Sequence, residues 1–161
     1  MKNKIFIGTL AVVTLLSLVY FFLIYYPNKT TFVYYSSGQL KKIIPHKDGK
    51  QNGLRIVFFP DGKLQDEAFY VNGVQHGKQL TFYLSGELET IREWANGKLV
   101  DRMTTYYKTG DAAKKECYDR EGKKQGDFLT YYENGKVYSH EVYQNDLLVK
   151  REEFDESGKP Q

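Results

Sequence analysis

The residues best suited to catalysis or metal binding are three histidines, one cysteine and a group of carboxylates. His46, His76 and His140 fall eight, fourteen and five residues after glycines that recur along the chain. A metal site or a histidine general base needs side chains that converge on one point. Because the histidines occupy different phases of a regular pattern, we expect them not to form such a site.

Acidic residues are numerous in the middle of the chain, at Asp66, Glu67, Glu87, Glu89 and Glu93. This spacing is typical of carboxylates on exposed strands. The sequence has no nucleophile elbow, phosphate-binding loop or histidine pair at helical spacing. We therefore predict that the protein is not an enzyme and uses no cofactor and no metal. A catalytic cleft formed by curvature of the fold is the lesser alternative.

Cys117 is the single cysteine, which excludes an intramolecular disulfide and a thiolate cluster. We interpret it as a small apolar residue in a strand.

Glycines with an even spacing predict the elements that carry these residues. Intervals of 24, 24, 24, 25 and 23 residues separate Gly38, Gly62, Gly86, Gly110, Gly135 and Gly158. A second set of turns lies between them, at Asp48-Gly49, Asn72-Gly73, Asn96-Gly97, Glu121-Gly122 and Asn145-Asp146. A fixed period in this range marks a repeat array. Asn-Gly between strand-like runs is a strong hairpin signal, so each copy is predicted to be two strands and two tight turns.

An aromatic pair precedes each of the first five glycines by four and three residues. Adjacent strand residues point to opposite faces of a sheet. From the more apolar neighbours of the first ring, such as Ile56 and Leu80, we expect these rings to lie on the better buried face: Tyr34, Phe58, Phe82, Tyr106 and Tyr131. The second rings are then the candidate partner-binding row: Tyr35, Phe59, Tyr83, Tyr107 and Tyr132.

The row of second rings has two compatible interpretations. Aromatic ladders stabilise neighbouring strands, and tyrosine rings also give contact area at low entropic cost on a protein-binding surface. We expect Tyr131→Ala to destabilise the fold and Tyr132→Ala to weaken partner binding. The turn glycines Gly38, Gly62, Gly86, Gly110, Gly135, Gly73, Gly97 and Gly122 have a structural role in either case.

The amino-terminal segment has a different character from the repeats. Residues 5–26 carry no charge and are long enough to cross a bilayer as a helix. They follow a short basic stretch, residues 1–4, and precede a linker at 27–31, a repeat region at 32–158 and a tail at 159–161. A cleaved signal peptide is the alternative, but no small-residue cleavage site ends the apolar run.

The charge pattern bears on location and partners. Lys2 and Lys4 favour an amino terminus inside the cell, which gives a single-pass anchor in the inner (cytoplasmic) membrane and repeats facing the periplasm or exterior. With these two set aside from the 23 basic residues, 21 remain against 20 acidic ones. This balance gives no general attraction to nucleic acid.

The unit Gly126–Lys136, with Tyr143 and the following turn, resembles the bacterial variant of the MORN (membrane occupation and recognition nexus) repeat. The resemblance covers roughly residues 32–158. It implies an all-β repeat protein, an elongated antiparallel meander of about five hairpin repeats of ~24 residues, after the one transmembrane helix. It also implies that such sheets are often paired into a dimer. Two copies depart from the pattern: Asp101 and Lys150 occupy the repeat position that is glycine in the other copies, at Gly53, Gly77 and Gly126. Asp146 replaces the glycine of the second turn.

This repeat variant is common in antitoxin-like and toxin immunity proteins, and the resemblance implies such a role. Our leading hypothesis is therefore a membrane-anchored immunity protein that binds and neutralises a toxin effector. The alternative is an envelope scaffold or a lipid-contacting interaction module.

Overall fold

The computed structural model describes residues 29–161, and the predicted membrane helix at 5–26 lies outside the described residues. The described part is all β, as the sequence predicted. In the stretch from 29 to 161 there is no helix with the length and apolar character needed to cross a membrane. The strands are β1 (Thr30–Tyr34), β2 (Leu40–Lys47), β3 (Lys50–Gln51), β4 (Gly53–Phe58), β5 (Leu64–Val71), β6 (Val74–Phe82), β7 (Leu88–Ala95), β8 (Lys98–Tyr106), β9 (Ala112–Tyr118), β10 (Gly126–Tyr131), β11 (Val137–Gln144) and β12 (Leu147–Glu153).

The strands form one antiparallel meander in the order β1-β2-β4-β5-β6-β7-β8-β9-β10-β11-β12, with β3 paired to the end of β2. Two kinds of turn alternate along it. Short turns such as Asn72-Gly73 and Asn96-Gly97 have two successive positive φ angles, 51° and 87° in the first and 51° and 77° in the second. This is the type I′ geometry that the right-handed twist of paired strands favours. Longer turns end on a glycine of positive φ, for example Gly62 at 85°.

The turn at Gly122 differs from its sequence-based prediction. Asp119 accepts a main-chain hydrogen bond from Gly122 and its own amide donates to Lys123, which is the pattern of the longer turns. The Asp119 carboxylate also accepts from the amides of Glu121 and Lys123, at 2.9 and 2.8 Å. Such an Asx turn stabilises the longer geometry. The extra residue accounts for the one interval of 25.

Asp101 keeps the backbone conformation of the glycines that it replaces. Its φ is 58°, against 73° at Gly77 and 85° at Gly126. Asp146 likewise has φ 68° beside Asn145 at 50°. Aspartate tolerates this left-handed region better than most side chains. Asp101 and Asp146 therefore keep the positive φ of the glycines that they replace, whereas Lys150 is not among the described residues with a positive φ.

Each face of the sheet carries one continuous cross-strand row. We call polar face the one whose row is Val33, Lys42, Val57, Asp66, Thr81, Thr90, Thr105, Lys114, Thr130, Ser139 and Glu153. We call apolar face the one whose row is Phe32, Ile43, Ile56, Glu67, Leu80, Ile91, Thr104, Lys115, Leu129, His140 and Glu152. The first rings alternate onto the apolar face.

The expectation that the apolar face is the better buried one is wrong. Tyr34 is 58% exposed and Phe32 is 53% exposed. Within residues 29–161, the buried polar side chains all alternate onto the polar face: Asp66, Thr90, Glu116 and Ser139. A single sheet has no second layer to cover its apolar side, so burial is decided by long side chains that lie over their neighbours.

Candidate functional site: an aromatic ledge and a row of bulged residues

The second rings, which we call the aromatic ledge, start the longer turns along one end of the sheet. Tyr35 shows the arrangement: its amide donates to the carbonyl of Gln39, and its own carbonyl accepts from Gly38. The ledge consists of Tyr35, Phe59, Tyr83, Tyr107 and Tyr132, and all five are half-buried. The turn geometry therefore fixes the main chain of each ring.

Each of the four tyrosines in the ledge also donates a hydrogen bond from its hydroxyl group to a main-chain carbonyl of the next repeat. Tyr35 donates to the carbonyl of Phe58 and Tyr83 to that of Tyr106, each at 2.7 Å. Tyr107 donates to Tyr131 at 2.6 Å, and Tyr132 donates to Phe154 at 2.9 Å. These bonds support the ladder interpretation. They also hold the rings in one orientation, which lowers the entropy lost when a surface binds a partner.

One residue bulges out of the strand opposite each first ring. In β2, Val33 pairs with Lys42 and Tyr34 pairs with Leu40, which leaves Lys41 unpaired between them. The same register shift recurs in β5, β7, β9 and β11. We call these residues the bulge row: Lys41, Gln65, Glu89, Ala113 and Tyr138. Beta-bulges re-aim a side chain and are typical of functional sites.

The bulge row lies beside the ledge. The Lys41 ammonium is 4.9 Å from the ring centroid of Tyr35. The rings of Tyr138 and Tyr132 meet edge to face with centroids 5.2 Å apart. The ledge positions are aromatic in each of the first five copies, whereas the bulge positions carry a different side chain in each of these copies. Sequence reasoning missed this row, although its period of 24 or 25 residues was visible.

A groove of about 630 Å³ joins the two rows on the polar face. Phe59 and Tyr83 of the ledge line it together with Lys41, Gln65 and Glu89 of the bulge row. Leu84, at the tip of the next turn, is 56% exposed at its rim. The groove thus combines fixed aromatic rings with basic, neutral and acidic side chains at adjacent positions.

An ion pair between Arg55 and Asp66 forms the floor of the groove. Arg55 donates to the Asp66 carboxylate at 2.5 Å and to the Tyr70 hydroxyl at 2.7 Å. Gln79 donates to the other Asp66 oxygen and accepts from the Trp94 indole at 3.0 Å. This network holds the side chains of the groove floor in place, although the buried Nε of Arg55 has no hydrogen-bond partner among the described residues. The charge left for a partner is therefore carried by the bulge row and by Lys42, for which the described residues provide no ion pair.

A further aromatic column stands at the opposite ends of the strands on the polar face. Phe128 contacts Tyr118 edge to face at 5.6 Å and Tyr143 at 4.7 Å, and the Lys124 ammonium lies 4.5 Å from the Tyr143 ring. Burial and the adjacent Glu116 carboxylate raise the pKa of Tyr118 to about 12. The Lys124 side chain already occupies this cluster, so we assign the cluster to stabilising the fold.

The histidines do not come together. His140 contacts Asp127 at 2.7 Å and Glu152 at 3.5 Å, and His46 contacts the main chain of Lys29 at 3.2 Å. His76 is exposed on β6. In the described part of the chain no group of three or more metal-ligand residues is suited to hold an ion. Cys117 is a half-buried free thiol on β9.

Comparison with known proteins adds a family match. The profile of the MORN repeat variant matches residues 27–48, 51–72, 75–96 and 124–145, which together are more than half of the chain. No curated protein matches the sequence. Among solved structures, the chain is similar to the crystal structure of accessory secretory protein 1, 2 and 3 in Streptococcus pneumoniae, with 19% identity and a TM-score of 0.31. That match covers 71% of this chain and 19% of the other, so this chain spans about a fifth of that protein's length.

Proposed function

The chain belongs to the MORN repeat variant family, and we propose that it is a non-catalytic module that binds a protein partner through its aromatic ledge and bulge row. Repeats of this family generally mediate protein or membrane interactions. The observation that carries the proposal is the groove in which Phe59 and Tyr83 meet Gln65 and Glu89.

The division of work between the two rows is typical of recognition surfaces. Rigid aromatic side chains supply contact area and affinity. Side chains that change from copy to copy supply specificity, because a mismatched charge disfavours a wrong partner. Lys41, Gln65 and Glu89 present three different charges in sequence along one groove edge. A partner with a matching charge order would be selected over one with the reverse order.

The cellular role we propose is that of an immunity protein at the inner membrane. Residues 5–26 anchor the chain, the repeats face the periplasm, and the bound partner is a toxin effector that is neutralised by occlusion. An inhibitor of this kind needs a complementary surface and no catalytic residue. Tethering raises its local concentration against a toxin that acts at the same membrane.

The test is co-purification of the full chain, in detergent, with an effector encoded by an adjacent gene. We expect the wild type and Arg120→Glu to retain the effector equally, because residue 120 lies in a turn at the far ends of the strands. The double variant Gln65→Arg, Glu89→Arg should lose it at least tenfold, since both changes replace groove side chains with a new charge. Deleting the gene should make cells sensitive to the effector.

Retention of the effector by the double variant would show that the groove is not part of the binding site. The absence of both sensitivity and co-purification would contradict the immunity role. Binding to vesicles that survives removal of residues 1–26 would instead favour a lipid-contacting scaffold.

A further inference from the structure

The rings of the aromatic ledge recur across the sheet with a constant spacing. Phe59 directly follows β4 and Tyr83 directly follows β6, and β5 is the one strand between these two. Because neighbouring strands lie about 4.8 Å apart, the two ring positions are about 9.6 Å apart across the sheet. Lys41, Gln65 and Glu89 of the bulge row lie on β2, β5 and β7 and share this period. A ligand that crosses the strands therefore meets equivalent positions at every second strand.

This period distinguishes between the conformations that a bound peptide can adopt. Polyproline II has three residues per turn and rises about 3.1 Å per residue, so every third residue returns to the same side after about 9.3 Å. A β-strand presents the same face again after about 6.8 Å, and an α-helix does so after seven residues, about 10.5 Å. Over the two intervals from Lys41 to Glu89 the accumulated mismatch is about 0.6 Å for polyproline II and about 1.8 Å for the α-helix.

Main-chain hydrogen bonding at the groove disfavours the addition of a strand. The groove crosses β2 to β7, and each of these strands already has neighbours on both sides, apart from the short β3. At the ledge, the amide of Phe59 donates to Lys63 and its carbonyl accepts from Gly62, and Tyr83 makes the same two bonds in its own turn. Strand addition needs an exposed sheet edge. Polyproline II forms no ladder and keeps its backbone solvated.

We propose that the groove holds a proline-rich segment of the protein partner in the polyproline II conformation, running across the strands from β2 to β7. The inference rests on the proposed function and names the chemistry of the segment that the ledge and the bulge row bind. Proline rings of the segment pack against Phe59 and Tyr83. Aromatic-lined grooves recognise this conformation because it is formed before binding and loses little entropy.

The two ends of the groove specify the charges of the segment. Lys41 lies at one end with its ammonium 4.9 Å from the Tyr35 ring centroid, and Glu89 lies at the other end and accepts a hydrogen bond from Thr81 at 3.2 Å. Neither has an ion-pair partner within the described residues. Four strand spacings separate them, about 19 Å, and six residues of polyproline II span about 18.6 Å. The segment therefore carries an acidic and a basic residue six positions apart.

A fluorescent peptide tests the fit, by anisotropy with the full chain in detergent. The probe is Glu-Pro-Pro-Ala-Pro-Pro-Lys with blocked termini and a dye on a flexible linker. A peptide with the same charged ends and Gly-Ser residues in place of the prolines should bind at least tenfold more weakly, because it must lose the freedom of a flexible coil. A helical peptide with Glu and Lys two heptads apart should also bind at least tenfold more weakly, since its side chains do not match the period of the repeats.

Variants of the groove test the charges and the rings separately. Lys41→Glu should weaken binding of the probe at least fivefold. A probe with lysine at both ends should bind this variant more tightly than it binds the wild type, because the change makes both ends of the groove acidic. Lys47→Glu is the matched control, on the same strand but outside the groove, and should bind the probe as the wild type does. Phe59→Leu keeps an apolar side chain but removes the ring, and it should also weaken binding at least fivefold.

Failure of this inference is distinct from failure of the proposed function. If the effector co-purifies but the proline-rich probe neither binds nor displaces it, the polyproline II segment is contradicted and the proposed function stands. A helical or Gly-Ser peptide that binds as tightly as the proline-rich probe would also overturn the inference. Displacement of the effector by the proline-rich probe, but not by the Gly-Ser peptide, would support it. If the wild type retains no effector, the proposed function fails, while the probe still decides the chemistry of the groove.

Discussion

The hydroxyl of Tyr83 donates a hydrogen bond to the main-chain carbonyl of Tyr106, 2.7 Å away and two strands further along the sheet. The bond joins one repeat to the next without involving the strands' own hydrogen bonds. Because a neutral bond of this kind contributes about 0.5 to 1.5 kcal/mol, Tyr83→Phe should lower the free energy of unfolding by that amount. Urea unfolding followed by Trp94 fluorescence measures it.

Tyr34→Phe is the control for this change. Its side chain is 58% exposed and its hydroxyl has no hydrogen bond to the described residues. It should alter stability by less than about 0.5 kcal/mol. A loss from Tyr34→Phe as large as that from Tyr83→Phe would mean that the hydroxyl bond is not the cause.

Breaking the charged pair beneath the groove should be more costly. Asp66→Ala leaves Arg55 and Gln79 without their shared acceptor, and the loss of one partner from a mostly buried pair costs about 3 kcal/mol. The exposed Glu133→Ala should change little. Replacing both members, by Arg55→Met and Asp66→Leu, should recover much of the loss in the same urea experiment. A double variant as unstable as Asp66→Ala would show that packing, rather than an unpaired charge, dominates.

Relieving the left-handed backbone at Asp101 should stabilise the protein. The residue has φ 58° and its carboxylate has no hydrogen-bond partner among the described residues. Asp101→Gly should raise the free energy of unfolding by roughly 0.5 to 1 kcal/mol, because the relieved strain exceeds the added entropy of the unfolded chain. Asp101→Val should lower the unfolding temperature, since a β-branched residue is poorly accommodated at this φ. Equal effects of the two changes would contradict this account.

Alkaline pH should reveal the environment of Tyr118. Its pKa is raised from 10.0 to about 12 by burial and by Glu116. Between these values the unfolded chain has lost the phenol proton and the folded chain keeps it, so stability falls as pH rises from about 10 to about 12. Tyr118→Phe should make this fall shallower, and Glu116→Gln should have a smaller effect in the same direction. An unchanged slope in Tyr118→Phe would exclude this residue as a source.

The meander and most turns were predictable because they depend on local chemistry. Asn-Gly pairs and periodic glycines specify φ directly, and consecutive hairpins leave little choice of strand order. The turn at 119–123 was mistaken because Glu121-Gly122 resembles a short turn. Its geometry is set by the carboxylate of Asp119, two residues earlier.

The identity of the buried face could not be predicted in this way. Alternation places Tyr131 and Tyr132 on opposite faces of the sheet, but it does not predict which face is covered by neighbouring side chains. The structure also gives Tyr132 a bond to Phe154 and an edge contact with Tyr138. Tyr132→Ala would thus remove contacts that support the fold as well as contact area for a partner. Tyr132→Phe removes only the hydroxyl bond and keeps the ring, so it separates the structural role from the binding role more cleanly.

The longer turn at 119–123 has a consequence for how such a chain can evolve. The turn accommodates one inserted residue. The strands on both sides keep their side chains on the same faces, because the extra residue lies in the turn and does not shift the pairing of the next strand. A one-residue insertion within a strand would instead reverse every following side chain of that strand. Insertions and deletions should therefore accumulate at the turns, while strand lengths stay fixed.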